Sequence, residues 1–392
     1  MPDIVILSAV RTPIGRFLGG LASVPAPRLG AVAIRGALSQ ARIGPDQVDE
    51  VIMGNVLSAG LGQAPARQAA LAAGIPETVP ATTVNKMCGS SLKAVMLAAQ
   101  AIQSGDAEVV VAGGMESMSL APYLLERART GYRIGDGAIV DTILRDGLVD
   151  AYKQIHMGSC CELLNREYRF SREEQDAYAI QSYRRALDAM TSGKFTAEVV
   201  PVEVTQPRDG ATMVAEDEEP RRVNFEKIPT LPAAFERDGT VTAANSSSIS
   251  DGAAAAVVAS AEAARRLGVH PLARIAGQAG AAGAPEWFTV QPSAAIRRLL
   301  ERVGWSLADV DVIEINEAFA SVVLAATRDL GIGTERVNIH GGAVALGHPI
   351  GASGARILAT LLHALSDVGG RRGLAAICLG GGEAVSLAVE RV

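Results

Sequence analysis

Aromatic residues and cysteines are scarce in this chain of 392 residues. Phe, Trp and Tyr together make up 4% of it, so its core is expected to depend on closely packed alanine and aliphatic side chains rather than on aromatic clusters. The four cysteines, Cys88, Cys160, Cys161 and Cys378, match no zinc or haem spacing and are too few for a disulfide scaffold. This usage favours a reducing, cytoplasmic location.

The charge and hydropathy patterns exclude further classes of protein. The net charge is −6 and no long basic run occurs, which argues against a nucleic-acid partner. No uncharged apolar stretch is long enough to span a bilayer, and the first residues lack the pattern of a signal peptide, so no membrane partner is expected. With 48% hydrophobic and 20% charged residues, the chain is expected to be globular, with two or three domains.

Short apolar segments alternate with helical patterns near both ends of the chain. Wholly apolar strands alternating with helices predict an α/β fold with a mainly parallel sheet covered on both faces. In the first part, strands are predicted at 3–10, 48–54, 79–84 and 108–112, and helices at 31–41 and 90–104.

One pattern occurs twice, in the same order. VDEVIMGN at Val48 is echoed by VDVIEINE at Val310, and similar echoes link Val84-Asn85 with Val337-Asn338, residues 89–102 with 351–365, and 107–117 with 373–383. Four echoes in one order predict two copies of one α/β fold. The repeat places Cys88 before one helix and His348 before its counterpart, so pseudo-twofold packing would bring both helix starts to one site.

The chain is therefore predicted to divide into three parts. The N-terminal half comprises residues 1–119 plus 245–270, and the C-terminal half comprises residues 271–392. Residues 120–244, where charges and prolines cluster, form an inserted and more irregular region. Within it, Ser171 and Glu174 form a capping-box pattern that predicts a helix through about residue 194.

His348 lies in the glycine-rich stretch 337–356, directly before Pro349. The proline disfavours helical geometry in the preceding residue, and the glycines permit tight backbone, so a constrained loop is expected to present His348 before a helix at 352–365. An isolated Gly-His-Pro is more often a turn with a satisfied histidine. Two cysteine sites elsewhere favour the catalytic interpretation.

Cys88 and Cys378 each adjoin a secondary-structure terminus. Cys88 precedes a helix whose N-terminus is expected to lower the thiol pKa, although a lone cysteine is more often a small buried side chain. Cys378 follows an apolar strand and precedes three glycines, including Gly380, whose N–H groups can form an oxyanion hole or a plain turn. Asn316 lies between a strand and a helix, where an N-cap is the simpler interpretation.

CGSS at Cys88, NEAFA at Asn316, GGAVALGHPIGASGAR at Gly341 and CLGGG at Cys378 resemble the motifs of the thiolase family. Their order and spacing agree over essentially the entire chain. The resemblance implies two repeated α/β/α halves packed as a five-layered αβαβα core with an inserted loop domain. HMG at His156 is similar to the short-chain, biosynthetic type, which acts on acetoacetyl-CoA.

The resemblance also implies a role for each motif residue. Cys88 would take an acyl group from acyl-CoA, with His348 as its base. Backbone N–H groups of Cys88 and Gly380 would hold the oxyanion. Cys378 would deprotonate a second acetyl-CoA, whose enolate would be held by His348 and a water on Asn316. The thioesters of coenzyme A are substrates, and neither a metal nor another cofactor is implied.

The same resemblance implies substrate contacts and partners. Arg221 or Arg222 would meet the phosphate or adenine end of CoA, although a solvated charged face fits them equally well. The chain would form dimers that pair into homotetramers through residues 123–141. The pantetheine and acyl tunnel would be lined by Leu148, His156, Met157, Phe235, Ser247, Ala318 and Phe319.

Two alternatives stay open, and three positions depart from the family pattern. The alternatives are a broader 3-ketoacyl-CoA thiolase of β-oxidation and a non-catalytic acyl-CoA-binding protein on the same fold. Glu383-Ala384 follow the three glycines where the family has Met-Gly or Gln-Gly, and a carboxylate turned toward Cys378 would disfavour its thiolate. Ser91 replaces a common glycine, and Cys160-Cys161 replace small or hydroxyl residues.

Overall fold

The structure, a computed structural model, describes residues 3–206 and 210–392. Its strands in that part of the chain are β1 Ile4–Arg11, β2 Gly15–Arg16, β3 Glu50–Gly54, β4 Ala81–Val84, β5 Val109–Ser117, β6 Tyr123–Leu124, β7 Val140–Asp141, β8 Val202–Gln206, β9 Gly210–Val214, β10 Ser250–Ser260, β11 Ala273–Ala282, β12 Val312–Ile315, β13 Arg372–Leu379 and β14 Glu383–Arg391. Its helices are α1 Ala26–Ala41, α2 Pro65–Ala72, α3 Ser90–Ser104, α4 Met157–Tyr168, α5 Arg172–Thr191, α6 Ala261–Leu267, α7 Gln291–Val303, α8 Ala320–Leu330, α9 Ala343–Leu346 and α10 Ser353–Asp367.

The strand order shows the predicted repeat directly. The N-terminal half has the order β4-β3-β5-β10-β1, and the C-terminal half has β12-β13-β14-β11. In the C-terminal half, a bridge from Ile313 to Val337 takes the place of β4. The two halves join where β1 pairs with β11 at Val5–Arg274 and Ile6–Ala273.

The expectation of a mainly parallel sheet is wrong. Among the described strands of this sheet, only β3 with β4 and β5, and β12 with β13, pair in parallel. The pairings among β1, β10, β11 and β14, and their contacts with β5 and β13, are antiparallel. A strand covered on both faces is apolar throughout whatever its direction, so the apolar pattern predicts burial and not direction.

Helices α3 and α10 form the central layer of the molecule. One hydrophobic cluster joins Leu92 of α3 and Ile357 of α10 to Val258 in the N-terminal half of the sheet and Leu387 in the C-terminal half. Helices α1 and α2 cover the outer face of the first half, and α7 and α8 cover that of the second. The result is the five-layered αβαβα core that the resemblance implied.

The central helices approach each other backbone to backbone at their first turns. A Cβ on Gly354 would lie 2.5 Å from the backbone nitrogen of Leu92. Beside this contact, Ser91 Oγ accepts a hydrogen bond from the Ala355 N–H at 2.9 Å. Because both helix starts are held side by side, the loops that precede them, with Cys88 and His348, meet at one place.

The described part of residues 120–244 contains α4, α5 and two short hairpins, β6–β7 and β8–β9. The capping box is present as predicted, since Ser171 Oγ accepts from the Glu174 N–H and the Glu174 carboxylate accepts from the Ser171 N–H. The boundaries of the three-part division stay a prediction. No helix in the described residues has the length and apolar character needed to cross a membrane.

We expect Gly354→Ala to lower the melting temperature, because the added methyl group forces apart two backbones that cannot yield without shifting the central layer. Overpacking of this kind typically costs about 1–3 kcal/mol. Gly280→Ala is the control, because its nearest neighbour, the Ala384 carbonyl oxygen, would lie 3.5 Å away. Equal melting temperatures for both variants, measured by calorimetry, would show that the helix contact tolerates a side chain.

Candidate active site

One cavity of about 340 Å³ gathers residues from both halves and from the insert. Cys88, His348, Cys378 and Gly380 all line it, so the structure brings the three catalytic motifs together. It is also lined by the predicted tunnel residues Leu148, His156, Met157, Phe235, Ser247, Ala318 and Phe319. Of the predicted site residues, Asn316 and Arg221 are not part of its wall.

A strained turn presents Cys88 directly before α3. Met87 adopts a left-handed conformation with φ of 48°, which is uncommon for a side-chain-bearing residue. Ser90 holds the turn closed, because its Oγ accepts from the Lys86 N–H at 2.9 Å and donates to the Met87 carbonyl at 2.5 Å. The nucleophile loop, which we define as residues 85–89, therefore has a fixed shape.

The expected lowering of the Cys88 pKa is wrong in direction. Burial raises the pKa of this thiol to about 11, the N–H groups of Gly380 and Cys88 lower it in part, and the charge of Glu116 raises it. The helix terminus was visible in the sequence, but the desolvation of the Cys88 thiol inside the cavity was not. Cys88 is thus a neutral thiol at neutral pH and needs a base, while the two N–H groups expected in the oxyanion hole already face its sulfur.

His348 is held as that base, in one tautomer. Ser353 Oγ lies 2.6 Å from His348 Nδ1 and donates its own proton to the Pro349 carbonyl at 2.9 Å, so Nδ1 must carry the imidazole proton. Nε2 is buried without a partner among the described residues. Burial, with a smaller effect of Arg356, lowers the pKa of His348 to about 3, so the ring is neutral with its lone pair on Nε2.

Ser353 was missed from the sequence, although its position in the first turn of the helix that follows His348 was a usable signal. The bend itself needs a glycine at position 347, where φ is 107°. The backbone N–H of His348 donates to the Ser248 carbonyl at 3.0 Å. The backbone of His348 and one side of its ring are therefore both held in place.

Cys378 was predicted to follow a strand, but it lies inside β13, which ends two residues later than predicted. The residue is 1% exposed. Burial and the neighbouring Cys88 raise its pKa well above the usual range, so it is also a neutral thiol. Leu379 pairs with Glu383 across the turn, and Gly381 and Gly382 have φ of 90° and 79°. Consecutive left-handed glycines leave the Gly380 N–H free to face the cavity.

Two of the departures from the family pattern have a clear structural setting. The Glu383 carboxylate pairs with Lys86 Nζ at 2.6 Å and does not turn toward Cys378. Cys160 and Cys161 are fully buried free thiols, and Cys161 Sγ lies 3.3 Å from Ser321 Oγ. They fill the core behind the cavity.

Asn316 is fully buried behind the wall of the cavity. Its Oδ1 accepts from Arg356 Nη2 at 3.4 Å, while its Nδ2 has no partner among the described residues. A free amide N–H of this kind can donate a hydrogen bond to the water that was predicted to bind here. The N-cap interpretation is wrong, because α8 begins at Ala320 with Phe319 as its cap. The Ala318 carbonyl accepts two bonds from Ser247, which keep this segment out of the helix.

A buried carboxylate ties the loop after His348 to the segment that follows β3. Glu116, at the end of β5, accepts from Asn55 Nδ2 at 2.8 Å and from the N–H groups of Val56, Leu57 and Gly351 at 3.1, 3.2 and 2.9 Å. Gly351 belongs to the loop after His348, so one side chain links both halves. Burial raises the pKa of Glu116 to about 7. Glu116 was not predicted from the sequence, although a glutamate near the end of an apolar strand is a usable signal.

Aromatic rings fix the tunnel wall. His156 Nδ1 accepts from the Gly158 N–H at 3.0 Å and caps α4, and its ring stacks on Phe235 with 4.7 Å between centroids. Phe235 in turn meets the edge of Phe319. Wall residues that the sequence did not predict include Met118, Leu144, Ile249, Phe288 and Ile350.

Arg221 is not brought to the cavity. Its exposed guanidinium pairs with the Glu216 carboxylate at 2.9 Å, which fits the alternative of a solvated charged face. The described residues include no cluster of three or more His, Cys, Asp or Glu side chains that could hold a metal ion.

Taken together, a cysteine at the wall of the cavity, a neutral histidine base and paired backbone N–H groups define a site for acyl transfer through a covalent thioester. Family models for the thiolase N-terminal and C-terminal domains match residues 4–262 and 269–391. This chain belongs to the thiolase family.

Similar proteins are matched over their whole length. The acetyl-CoA acetyltransferase of Cupriavidus necator is 52% identical, with 100% of both chains covered. The crystal structure of the Bacillus anthracis acetyl-CoA acetyltransferase is 43% identical, with a TM-score of 0.98 over 100% of this chain and 99% of that one. The Acat5 thiolase from Ascaris suum, solved in complex with coenzyme A, is 46% identical, with a TM-score of 0.94 and full coverage of both chains.

We expect iodoacetamide to modify Cys88 faster than Cys160, Cys161 or Cys378, because Cys88 alone among the four is not fully buried. The pKa of Cys88 is raised, so the reactive thiolate gains population as pH rises, and the rate should climb steadily from about pH 6 to pH 10. Peptide mass mapping gives the site and the rate. A plateau below about pH 8 would instead show a thiolate–imidazolium pair.

Proposed function

We propose that this chain is an acetyl-CoA C-acetyltransferase that condenses two molecules of acetyl-CoA into acetoacetyl-CoA and CoA, and catalyses the reverse thiolysis. The observation that carries this proposal is the meeting of Cys88, His348, Cys378 and Gly380 in one apolar cavity. Full-length relatives named acetyl-CoA acetyltransferase support the same activity. The CoA thioesters are substrates, and the reaction needs no further cofactor.

In the first half-reaction, the Cys88 sulfur attacks the thioester carbon of acetyl-CoA while its proton passes to His348 Nε2. The N–H groups of Cys88 and Gly380 hold the oxyanion that forms. When the intermediate collapses, the bond from carbon to the CoA sulfur breaks. Cys378, which is protonated because of its raised pKa, donates its proton to the departing thiolate. Acetyl-Cys88, a Cys378 thiolate and a His348 imidazolium remain.

In the second half-reaction, the Cys378 thiolate removes a proton from the methyl group of a second acetyl-CoA. The enolate oxygen is held by the protonated His348 and by a water on Asn316 Nδ2. The enolate carbon attacks acetyl-Cys88, the carbon–carbon bond forms, and the Cys88 sulfur leaves. It recovers its proton from His348, so every group returns to its starting state.

The cavity wall supports a short acyl chain. His156, Phe235 and Phe319 brace one another, and a Cβ on Gly158 would collide with the Phe235 ring, so this wall has little freedom to withdraw. A long acyl chain needs space that a fixed aromatic wall does not give. The complete set of nucleophile, base and oxyanion donors weighs against a non-catalytic acyl-CoA-binding protein.

Self-association and a cytoplasmic location complete the proposal. Four apolar side chains in the segment proposed as the tetramer contact are exposed, namely Tyr123, Leu125, Ile134 and Ile139, and a partner subunit would cover them. All four cysteines are free thiols, which fits a reducing compartment.

We expect kcat/KM for CoA-dependent cleavage to be higher with acetoacetyl-CoA than with a ten-carbon 3-ketoacyl-CoA, because the fixed aromatic wall limits the length of the acyl pocket. Thiolysis of each substrate, followed by loss of the 3-ketoacyl absorbance, measures this ratio. Equal or better use of the ten-carbon substrate would favour the broader β-oxidation thiolase. Binding of acyl-CoA without any turnover would favour the non-catalytic alternative.

We expect Cys378→Ser to retain acetylation of Cys88 while losing most carbon–carbon bond formation. The CoA thiolate is a stable leaving group that can depart without a proton from residue 378, whereas a methyl group gives up its proton only to a base. Loss of a general base typically costs about 10²–10⁴-fold. Trapped radiolabelled acetyl-enzyme and acetoacetyl-CoA formation are measured in parallel.

The control for this pair of measurements is Cys160→Ser, which removes a buried thiol that does not line the cavity and should leave both steps near the parent rate. Condensation by Cys378→Ser at the parent rate would show that Cys378 has a structural role only.

A further inference from the structure

Glu383 is the position where this chain departs most clearly from the motif of its family, and its carboxylate has a definite partner. Glu383 Oε2 lies 2.6 Å from Lys86 Nζ, and the two side chains are 36% and 29% exposed. The pair is therefore partly shielded from solvent, which makes it stronger than an ion pair on an open surface.

The two partners lie beside the two halves of the oxyanion hole. Lys86 is two residues before Cys88, in the nucleophile loop, and Glu383 is three residues after Gly380, at the start of β14. Each segment supplies one N–H group to the hole. The oxyanion hole thus lies at the joint between two backbone segments. These segments are far apart in the sequence, since Lys86 and Glu383 are separated by 297 positions.

Besides the Gly380 N–H that faces the Cys88 sulfur, apolar contacts cross this joint. A Cβ on Gly380 would lie 3.5 Å from the Met87 Cε, and a Cβ on Gly89 would lie 2.5 Å from the Leu379 Cδ2. Such contacts keep the segments together but resist sliding weakly, since dispersion has little directionality. In the part of the chain that the structure describes, Lys86–Glu383 is the ion pair that crosses this joint.

We infer that the Lys86–Glu383 pair is a positioning clamp that fixes the Gly380 N–H relative to the Cys88 N–H, and so sets the geometry of the oxyanion hole. The inference rests on the proposed function. Neither Lys86 nor Glu383 lines the cavity, so the clamp acts on the transition state and not on substrate binding. Its loss lowers kcat and leaves KM nearly unchanged.

The test compares the parent with Glu383→Gln, which keeps the shape of the side chain and removes its charge. We expect kcat for thiolysis to fall about 5-fold to 10-fold, less than the ~10²-fold loss of a whole oxyanion donor, with KM within about twofold. Raising the salt from ~50 mM to ~500 mM should lower kcat of the parent but not of the variant, because salt screens the pair.

The matched control is Glu108→Gln, which breaks a second ion pair. Glu108, directly before β5, and Arg266, near the end of α6, are both exposed, and their charged groups lie 2.6 Å apart. This control should leave kcat unchanged. Glu383→Lys places two cations together and should be worse than Glu383→Gln, and adding Lys86→Glu to it should restore kcat. Rescue by the exchanged pair separates a clamp from a general loss of stability.

Three results would overturn the inference. The first is an unchanged kcat in Glu383→Gln, and the second is a change in the KM of that variant alone. The third is a low kcat in the double variant with the exchanged pair although that variant melts at the parent temperature. If the parent shows no thiolysis, the proposed function fails. The alkylation rate of Cys88 then still tests the clamp. If the Gly380 N–H is displaced from the sulfur, Cys88 should be alkylated more slowly at a given pH in Glu383→Gln, but not in Glu108→Gln.

Discussion

The contact on which this molecule depends is the approach of α3 and α10 at their N-terminal turns. Gly354 lets the backbone of one helix reach that of the other, and the Ser91–Ala355 hydrogen bond fixes their register. Because Cys88 and His348 lie in the loops that enter these helices, the geometry of the reaction follows from a packing contact. Glu116, at the end of β5, then ties the loop after His348, at Gly351, to the segment that follows β3, at Asn55.

Desolvation decides the charge state of the site. The cavity raises the pKa of both thiols and lowers that of the histidine, so the resting site carries no ionised nucleophile or base. A neutral pair is cheaper to bury than a thiolate with an imidazolium. Charge is created only during turnover, where the oxyanion hole and the histidine are already placed to meet it.

The sequence predicted the repeat and the helix that follows Cys88, because motif order and periodicity record these features directly. The family resemblance implied about half of the residues that line the cavity. It did not predict strand direction, since burial hides it. The Cys88 pKa was misjudged because one visible effect, the helix terminus, opposes a larger one that only the closed cavity shows. Glu116 and Ser353 were missed because their partners, Gly351 and His348, become meaningful only when the loops are seen folded.

The burial of Cys378 has a consequence for the fate of hydrogen. In the proposed cycle, the proton taken from the methyl group of one substrate stays on a sulfur that solvent barely reaches. At the next turnover it passes to the departing coenzyme. A proton removed from carbon would thus be carried forward on sulfur, shielded from exchange with bulk water between one catalytic cycle and the following one.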